Sequence, residues 1–264
     1  MANAHPQYLF LAAVGRSGTT IFRRSLRLHP EVYYHGKENN VVQDVLRAAL
    51  KNCTVDSRRK AMLLEQEEYD AAFRKLLVEL IWPRQRQRKE KPVHFAAINP
   101  TGDILDYLCQ VFPGAKVIGL VRNGIGVICS RQRYGAFAGQ DFEKHCEVWE
   151  KSAGVLDWGQ DNPERFFLFR QEWMYLPELE GRLTQLFDWT GIGACDDVSA
   201  NIRGVLANPG DREVEGYESL SAEEKRAVFE RRLEGWKNWT DAQRGTFKLK
   251  CGALMQRLGY AMPF

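Results

Sequence analysis

The stretch Tyr8-Leu-Phe-Leu-Ala-Ala-Val14, running directly into Gly15-Arg-Ser-Gly-Thr-Thr20, decides the fold. Its first half is a short, unbroken apolar run that ends in glycine, the pattern of a strand buried on both faces. From Ile21 to Leu28, Phe22, Leu26 and Leu28 alternate with Arg23, Arg24 and Arg27 at helical spacing, and His29-Pro30 stops the pattern. The hexapeptide therefore lies where a buried strand turns into a helix. A helix N-terminus carries unpaired N–H groups and partial positive charge, so it holds oxyanions. Gly15 and Gly18 allow a tight turn and close approach of a phosphate to the backbone. Ser17, Thr19 and Thr20 add hydroxyl donors, and Arg16 adds a planar cationic fork. A plain strand-to-helix turn capped by Ser or Thr is the alternative reading of the same letters.

The surrounding chain repeats this alternation. His94 to Ile98, Lys116 to Val121 and Arg165 to Arg170 read as further strands. Asp103 to Val111 and Ile125 to Tyr134 read as helices, as does the polar stretch from Val41 to Trp82. The last third is mostly helical, and its final helix, Thr240 to Leu258, ends at Gly259 as at a C-terminal glycine cap. Strands alternating with helices imply a three-layer α/β fold with a central, mostly parallel sheet and a helical C-terminal part. At 264 residues, with 44% hydrophobic and 27% charged side chains, the chain can bury its core without cross-links. A single domain over 1–264 is expected.

The bulk numbers exclude little more. A net charge of +3 suits a small anionic ligand as well as nucleic acid. The basic run Arg84-Gln-Arg-Gln-Arg-Lys-Glu-Lys91 reads as a solvated loop, so no nucleic-acid partner is expected. Cys53, Cys109, Cys129, Cys146, Cys195 and Cys251 show neither C-x-x-C nor metal-ligand spacing, which fits reduced thiols in the cytoplasm. The N-terminal apolar run is too short to span a bilayer, and no basic segment precedes it, so no membrane association is expected.

The loop departs from the nucleotide triphosphatase pattern, because only two residues separate its glycines and no lysine follows. A second anion site is spelled by Phe112-Pro-Gly-Ala-Lys-Val-Ile-Gly-Leu-Val-Arg122 and Asn123-Gly-Ile-Gly-Val-Ile-Cys-Ser130. Arg122 leaves a buried strand at its C-terminal end, where open α/β sheets bind ligands, and a bidentate arginine suits a dianionic phosphate. Ser130, eight residues on, stands in the first turns of the next helix.

Val14-Gly-Arg-Ser-Gly-Thr-Thr20 with Leu28-His-Pro-Glu-Val32, followed by the Arg122 to Ser130 spacing, resembles the sulfotransferase superfamily. The resemblance implies a P-loop-like fold and a donor, PAPS (3′-phosphoadenosine-5′-phosphosulfate), used without a metal. It places the 5′-phosphosulfate on Gly15, Arg16, Ser17, Gly18, Thr19 and Thr20, and the 3′-phosphate on Arg122 and Ser130. Phe167-Leu-Phe-Arg-Gln-Glu172 is similar to a family strand ending in Y-E-D, with Arg170 where a tyrosine would stack on adenine. Trp236-Lys-Asn-Trp-Thr240 looks like the family's closing segment, with Arg231 or Arg232 as the basic residue over the nucleotide. Ile98-Asn99-Pro100 lacks the family's lysine, and Asn99 or Lys37 stands in for it.

Sulfuryl transfer needs a base for the acceptor, charge stabilisation at the leaving phosphate and in-line positioning. Glu38 ranks first as base, because related carbohydrate and tyrosyl enzymes carry a glutamate shortly after the H-P; His35 ranks second and His94 third. Arg16 offsets charge on the leaving oxygen. The expected acceptor is a hydroxyl- or amine-bearing small molecule, bound by helices within 39–91 and 134–160, where Tyr33, Tyr34, Tyr134, Phe137 and Trp149 form a wall or pack in the core. A nucleotide kinase on a related fold and a non-catalytic nucleotide-binding protein are the rival readings.

Overall fold

The computed structural model describes residues 6–34, 40–53, 65–83, 90–98, 102–207 and 220–264. In chain order the strands are β1 (Gln7–Ala13), β2 (Val32–Tyr34), β3 (Val93–Ile98), β4 (Lys116–Val121) and β5 (Phe166–Arg170). The α-helices are α1 (Thr19–Leu26), α2 (Asn40–Cys53), α3 (Gln66–Ile81), α4 (Gly102–Val111), α5 (Gly124–Arg133), α6 (Phe142–Glu150), α7 (Ser152–Asp161), α8 (Leu179–Thr190), α9 (Asp196–Ala207), α10 (Ala222–Leu233) and α11 (Asp241–Arg257). The strands form one parallel sheet in the order β2-β3-β1-β4-β5. Chain order reverses on either side of β1, which makes the end of β1 the topological switch point where such sheets take their ligands.

The chain divides into two compact units. The first comprises 1–13, 26–119 and 154–167. Here β1 pairs with β3 from Gln7 opposite Val93 to Ala12 opposite Ile98, and β3 pairs with β2. Leu9, Phe10 and Leu11 have no exposed surface, because a strand flanked on both sides and covered on both faces must be apolar throughout. Burial of each such side chain stabilises the fold by about 1.5–3 kcal/mol. Trp82 centres this core: its Nε1 donates to the Phe95 carbonyl at 2.9 Å, and its indole meets the rings of Tyr8, Phe10, His94 and Phe112.

The second unit comprises 14–25, 120–153 and 168–264. In it Phe22 of α1 packs edge-on against Phe169 of β5. Ser25 is buried and donates to both the Ile21 carbonyl and Asn201 Oδ1 of α9. Trp149 and Trp239 flank Phe247 of α11. Gly259 takes φ 68° just beyond α11, a left-handed turn that glycine adopts without strain.

Three features differ from those expected by more than a one-residue shift. The first helix begins at Thr19, inside the phosphate loop itself, and ends at Leu26. Among the described residues, the Val41 to Trp82 stretch holds α2 and α3 as separate elements, and Glu65 and Glu68 close a capping box that starts α3 at Gln66. The short strand β2 lies outside the expected set; Val-Tyr-Tyr is too brief for a period-two signal, although aromatic and β-branched residues favour it.

Candidate active site

The loop after β1 and the residue after β4 meet in the second unit. Arg122 Nη1 donates to the Arg16 carbonyl at 3.0 Å, and Arg16 Nε donates to Ser130 Oγ at 3.0 Å. The Arg16 guanidinium lies 4.5 Å from the centroid of the half-exposed Tyr134 ring. Arg16 thus shares one cluster, rich in positive charge, with residues of the distant 122–134 segment.

Local chemistry explains each placement. Arg16 has φ 78° and Gly18 φ 86°, the left-handed turns that fold the loop back onto the start of α1. A Cβ on Gly18 would stand 2.9 Å from Gln171 Cγ, so close approach demands glycine there. Phe22 N–H donates to the Gly18 carbonyl at 3.1 Å, leaving the N–H groups before it without helical partners. Ser17 and Thr19 are buried, Gly15 and Gly18 half-buried, and Arg16 and Thr20 exposed. Ser17 Oγ has no hydrogen-bond partner among the described residues, although it is fully buried. An orphaned hydroxyl in a loop of glycines is the fit expected for a bound phosphate.

Arg122 lies across the first turn of α5. A Cβ at Gly126 would come 2.8 Å from Arg122 Nε and 3.1 Å from Nη2, so only glycine leaves room for the guanidinium. Asn123 caps α5: its Oδ1 accepts from Ile125 N–H at 2.9 Å. Ser130 stands in the second turn and meets Arg16. Sequence reasoning passed over Asn123 and Gly126; an Asn just before a Gly-x-Gly start is the signal for the cap, and the clash at position 126 is visible only in three dimensions.

Arg170 borders a cavity of about 520 Å³ that is also lined by Asn123, Glu172, Trp173, Trp236 and Tyr260. Its guanidinium sits 5.2 Å from the Tyr260 ring centroid. Glu172 ties the cavity floor together, accepting from Asn123 N–H at 2.8 Å and from the Tyr260 hydroxyl at 3.0 Å. Burial, with the Glu172 carboxylate beside it, pushes the Tyr260 phenol well above its usual range, so it stays a donor. Of the two arginines considered for closing over a nucleotide, Arg231 is exposed, and nothing is described of the Arg232 side chain; Lys237, Glu230 and Glu234 face the cavity instead.

The candidate bases Glu38 and His35, with Lys37 and Asn99, lie outside the described residues. His94 is a core residue, buried in β3 among the rings of Tyr8, Tyr33 and Trp82. Trp149 is also buried, its Nε1 donating to the Arg122 carbonyl at 2.9 Å, and Tyr33 and Tyr34 are buried strand residues. Packing, not a pocket wall, is the role of these three.

A family model, described as the sulfotransferase family, matches residues 7–197. The chain belongs to the sulfotransferase family. Its similarity to protein-tyrosine sulfotransferase 1 of Danio rerio is 31% identity over 151 residues, covering 54% of this chain and 40% of that protein. The Drosophila melanogaster protein-tyrosine sulfotransferase is 25% identical over 195 residues, covering 65% of this chain and 37% of its own. The chain thus spans about two fifths of the length of these relatives. Among solved structures, the sulfotransferase domain from the Synechococcus PCC 7002 olefin synthase superposes with a TM-score of 0.60 at 18% identity, covering 100% of this chain and 98% of that one. That likeness shows the fold, a parallel α/β sheet flanked by helices. No helix among the described residues is long and apolar enough to cross a membrane.

Proposed function

We propose that this member of the sulfotransferase family moves the sulfuryl group of PAPS to a hydroxyl or amine of a small-molecule acceptor, releasing the bisphosphate PAP. The observation that carries this reading is the Arg122–Arg16–Ser130 cluster beside the orphaned Ser17 hydroxyl. In this reading one bisphosphorylated nucleotide places its 5′ end on Gly15, Arg16, Ser17, Gly18, Thr19 and Thr20 and its 3′-phosphate on Arg122 and Ser130. The cavity beside Arg170 is of a size to take the base, and a guanidinium plane can stack on it.

In the reaction, Glu38 accepts the proton of the acceptor, with His35 the second choice. The acceptor oxygen or nitrogen forms a bond to sulfur while the bond from sulfur to the 5′-phosphate oxygen breaks. Arg16 and the loop amides offset the charge gathering on that leaving oxygen. The chain acts as one sulfotransferase domain, with donor motifs at 14–38 and 116–131 and acceptor helices within 39–91 and 134–160. Cys109, Cys129, Cys146, Cys195 and Cys251 are free thiols, which supports a cytoplasmic setting.

A protein tyrosine is the second acceptor reading, favoured by the similarity to protein-tyrosine sulfotransferases. Incubation with sulfur-labelled PAPS and a panel of phenols, sugars, amines and tyrosine peptides tests both. Label transfer to small acceptors alone supports the first reading, and transfer to peptides alone replaces it with the second. Failure to bind PAP or to transfer label to any acceptor overturns the proposal, leaving a nucleotide kinase or a non-catalytic nucleotide-binding protein.

A further inference from the structure

Arg131, one position beyond Ser130, has no place in the motifs above, yet it is among the most thoroughly buried charged groups of the second unit, with 4% of its surface exposed. Its Nε donates to His145 Nδ1 at 3.3 Å, its Nη2 donates to Gln140 Oε1 at 2.9 Å, and its guanidinium stacks 4.2 Å from the Phe137 centroid. All of these partners are neutral: burial and Arg131 itself both hold His145 below the ordinary histidine range. Among the described residues no carboxylate pairs with Arg131. The remaining nitrogen, Nη1, points at the phosphate loop, 3.9 Å from where a Gly15 Cβ would stand, with nothing else so near that position.

A charge taken out of water without a counter-ion is costly, and chains keep one where another charge comes to meet it. Two neutral acceptors hold this guanidinium in place without cancelling its field. Arg16, on the same loop, is close enough for the two cations to repel each other, so the pair adds rather than shields. We infer that Arg131 is a positioning residue of the donor site, a buried cation behind Gly15 that strengthens the loop's attraction for phosphate without touching the ligand. This rests on the donor reading given above.

The test compares wild-type protein with Arg131→Met and Arg131→Lys, using PAP, inorganic pyrophosphate and adenosine as calorimetric probes. Methionine keeps most of the volume and removes the charge; lysine keeps the charge. Arg131→Met is expected to weaken PAP and pyrophosphate about tenfold, the scale of one partly screened charge, and to leave adenosine unchanged. Arg131→Lys should recover most of the loss. Since an uncompensated charge gives way to a hydrophobe, the melting temperature of Arg131→Met should be equal or higher. Unchanged PAP affinity in Arg131→Met, an equal loss for adenosine, no recovery with lysine, or failure of the methionine variant to fold would each overturn the inference alone. Wild-type protein that binds neither PAP nor pyrophosphate would overturn the donor reading as well.

Discussion

Arg122 Nη1 reaches the carbonyl oxygen of Arg16 at 3.0 Å, joining residues 106 positions apart in the chain. The contact uses a side chain from one proposed anion site and a backbone atom from the other. Strand geometry produces it, because the loop follows β1 and Arg122 follows β4, neighbours in the sheet. The donor hypothesis is open to direct trial through this pair.

Replacing Arg122 with alanine removes the guanidinium from that meeting point. PAP affinity should fall about a hundredfold, the scale for losing a charge-assisted pair at a phosphate. Circular dichroism should stay unchanged, since Arg122 is not a core residue. Calorimetry showing undiminished PAP affinity would remove Arg122 from the site.

Gly126→Ala probes the same group from beneath. The added methyl would come 2.8 Å from Arg122 Nε and 3.2 Å from Leu233 Cδ2, and the flexible guanidinium is the part that can move. Alanine also suits a helix better than glycine by about 1 kcal/mol. Donor affinity should drop roughly tenfold while thermal stability holds or rises; an unfolded variant, or one with wild-type PAP affinity, would contradict this account.

Glu38→Gln addresses the chemistry instead of binding. Turnover should fall about a hundredfold or more, the usual scale for a general base, with PAP affinity little altered. Retention of full activity would shift the assignment to His35.

His145 gives the fold a pH dependence with a definite sign. Its folded-state proton affinity is lowered by burial and by Arg131, so the unfolded chain binds the proton more readily. The stability it contributes is complete above the unfolded value of about 6.5 and is lost as pH falls from there through the folded-state value. Melting curves should show wild-type protein losing more than His145→Gln between about pH 7.5 and pH 5. Parallel losses in the two proteins would assign the acid sensitivity to other groups.

Periodicity carried most of the architecture. The buried run at Tyr8 to Val14, the alternation after it and the Arg122 to Ser130 spacing are local signals, and the parallel sheet follows from them with the usual connection rules. β2 was illegible because three residues are too few for a pattern, and the capped start of α3 at Gln66 because helical spacing is read on either side of it. At the proposed donor site, Arg16, Arg122 and Ser130 stand out by residue type as candidates for holding an anion. Arg131 does not: an arginine in the last turn of a helix, two residues before Arg133, reads as solvated until its burial against Phe137, Gln140 and His145 is known. The same holds for Gly126, whose significance is a steric fact about a neighbour.

Arg16 adopts φ 78°, a backbone state that burdens an L-residue by roughly 1–2 kcal/mol and glycine hardly at all. Swapping it for glycine would therefore raise the melting point while stripping the loop of its cation. Laboratory evolution guided by heat tolerance alone would drift toward that change, and a library built on this scaffold needs a screen for nucleotide capture running alongside.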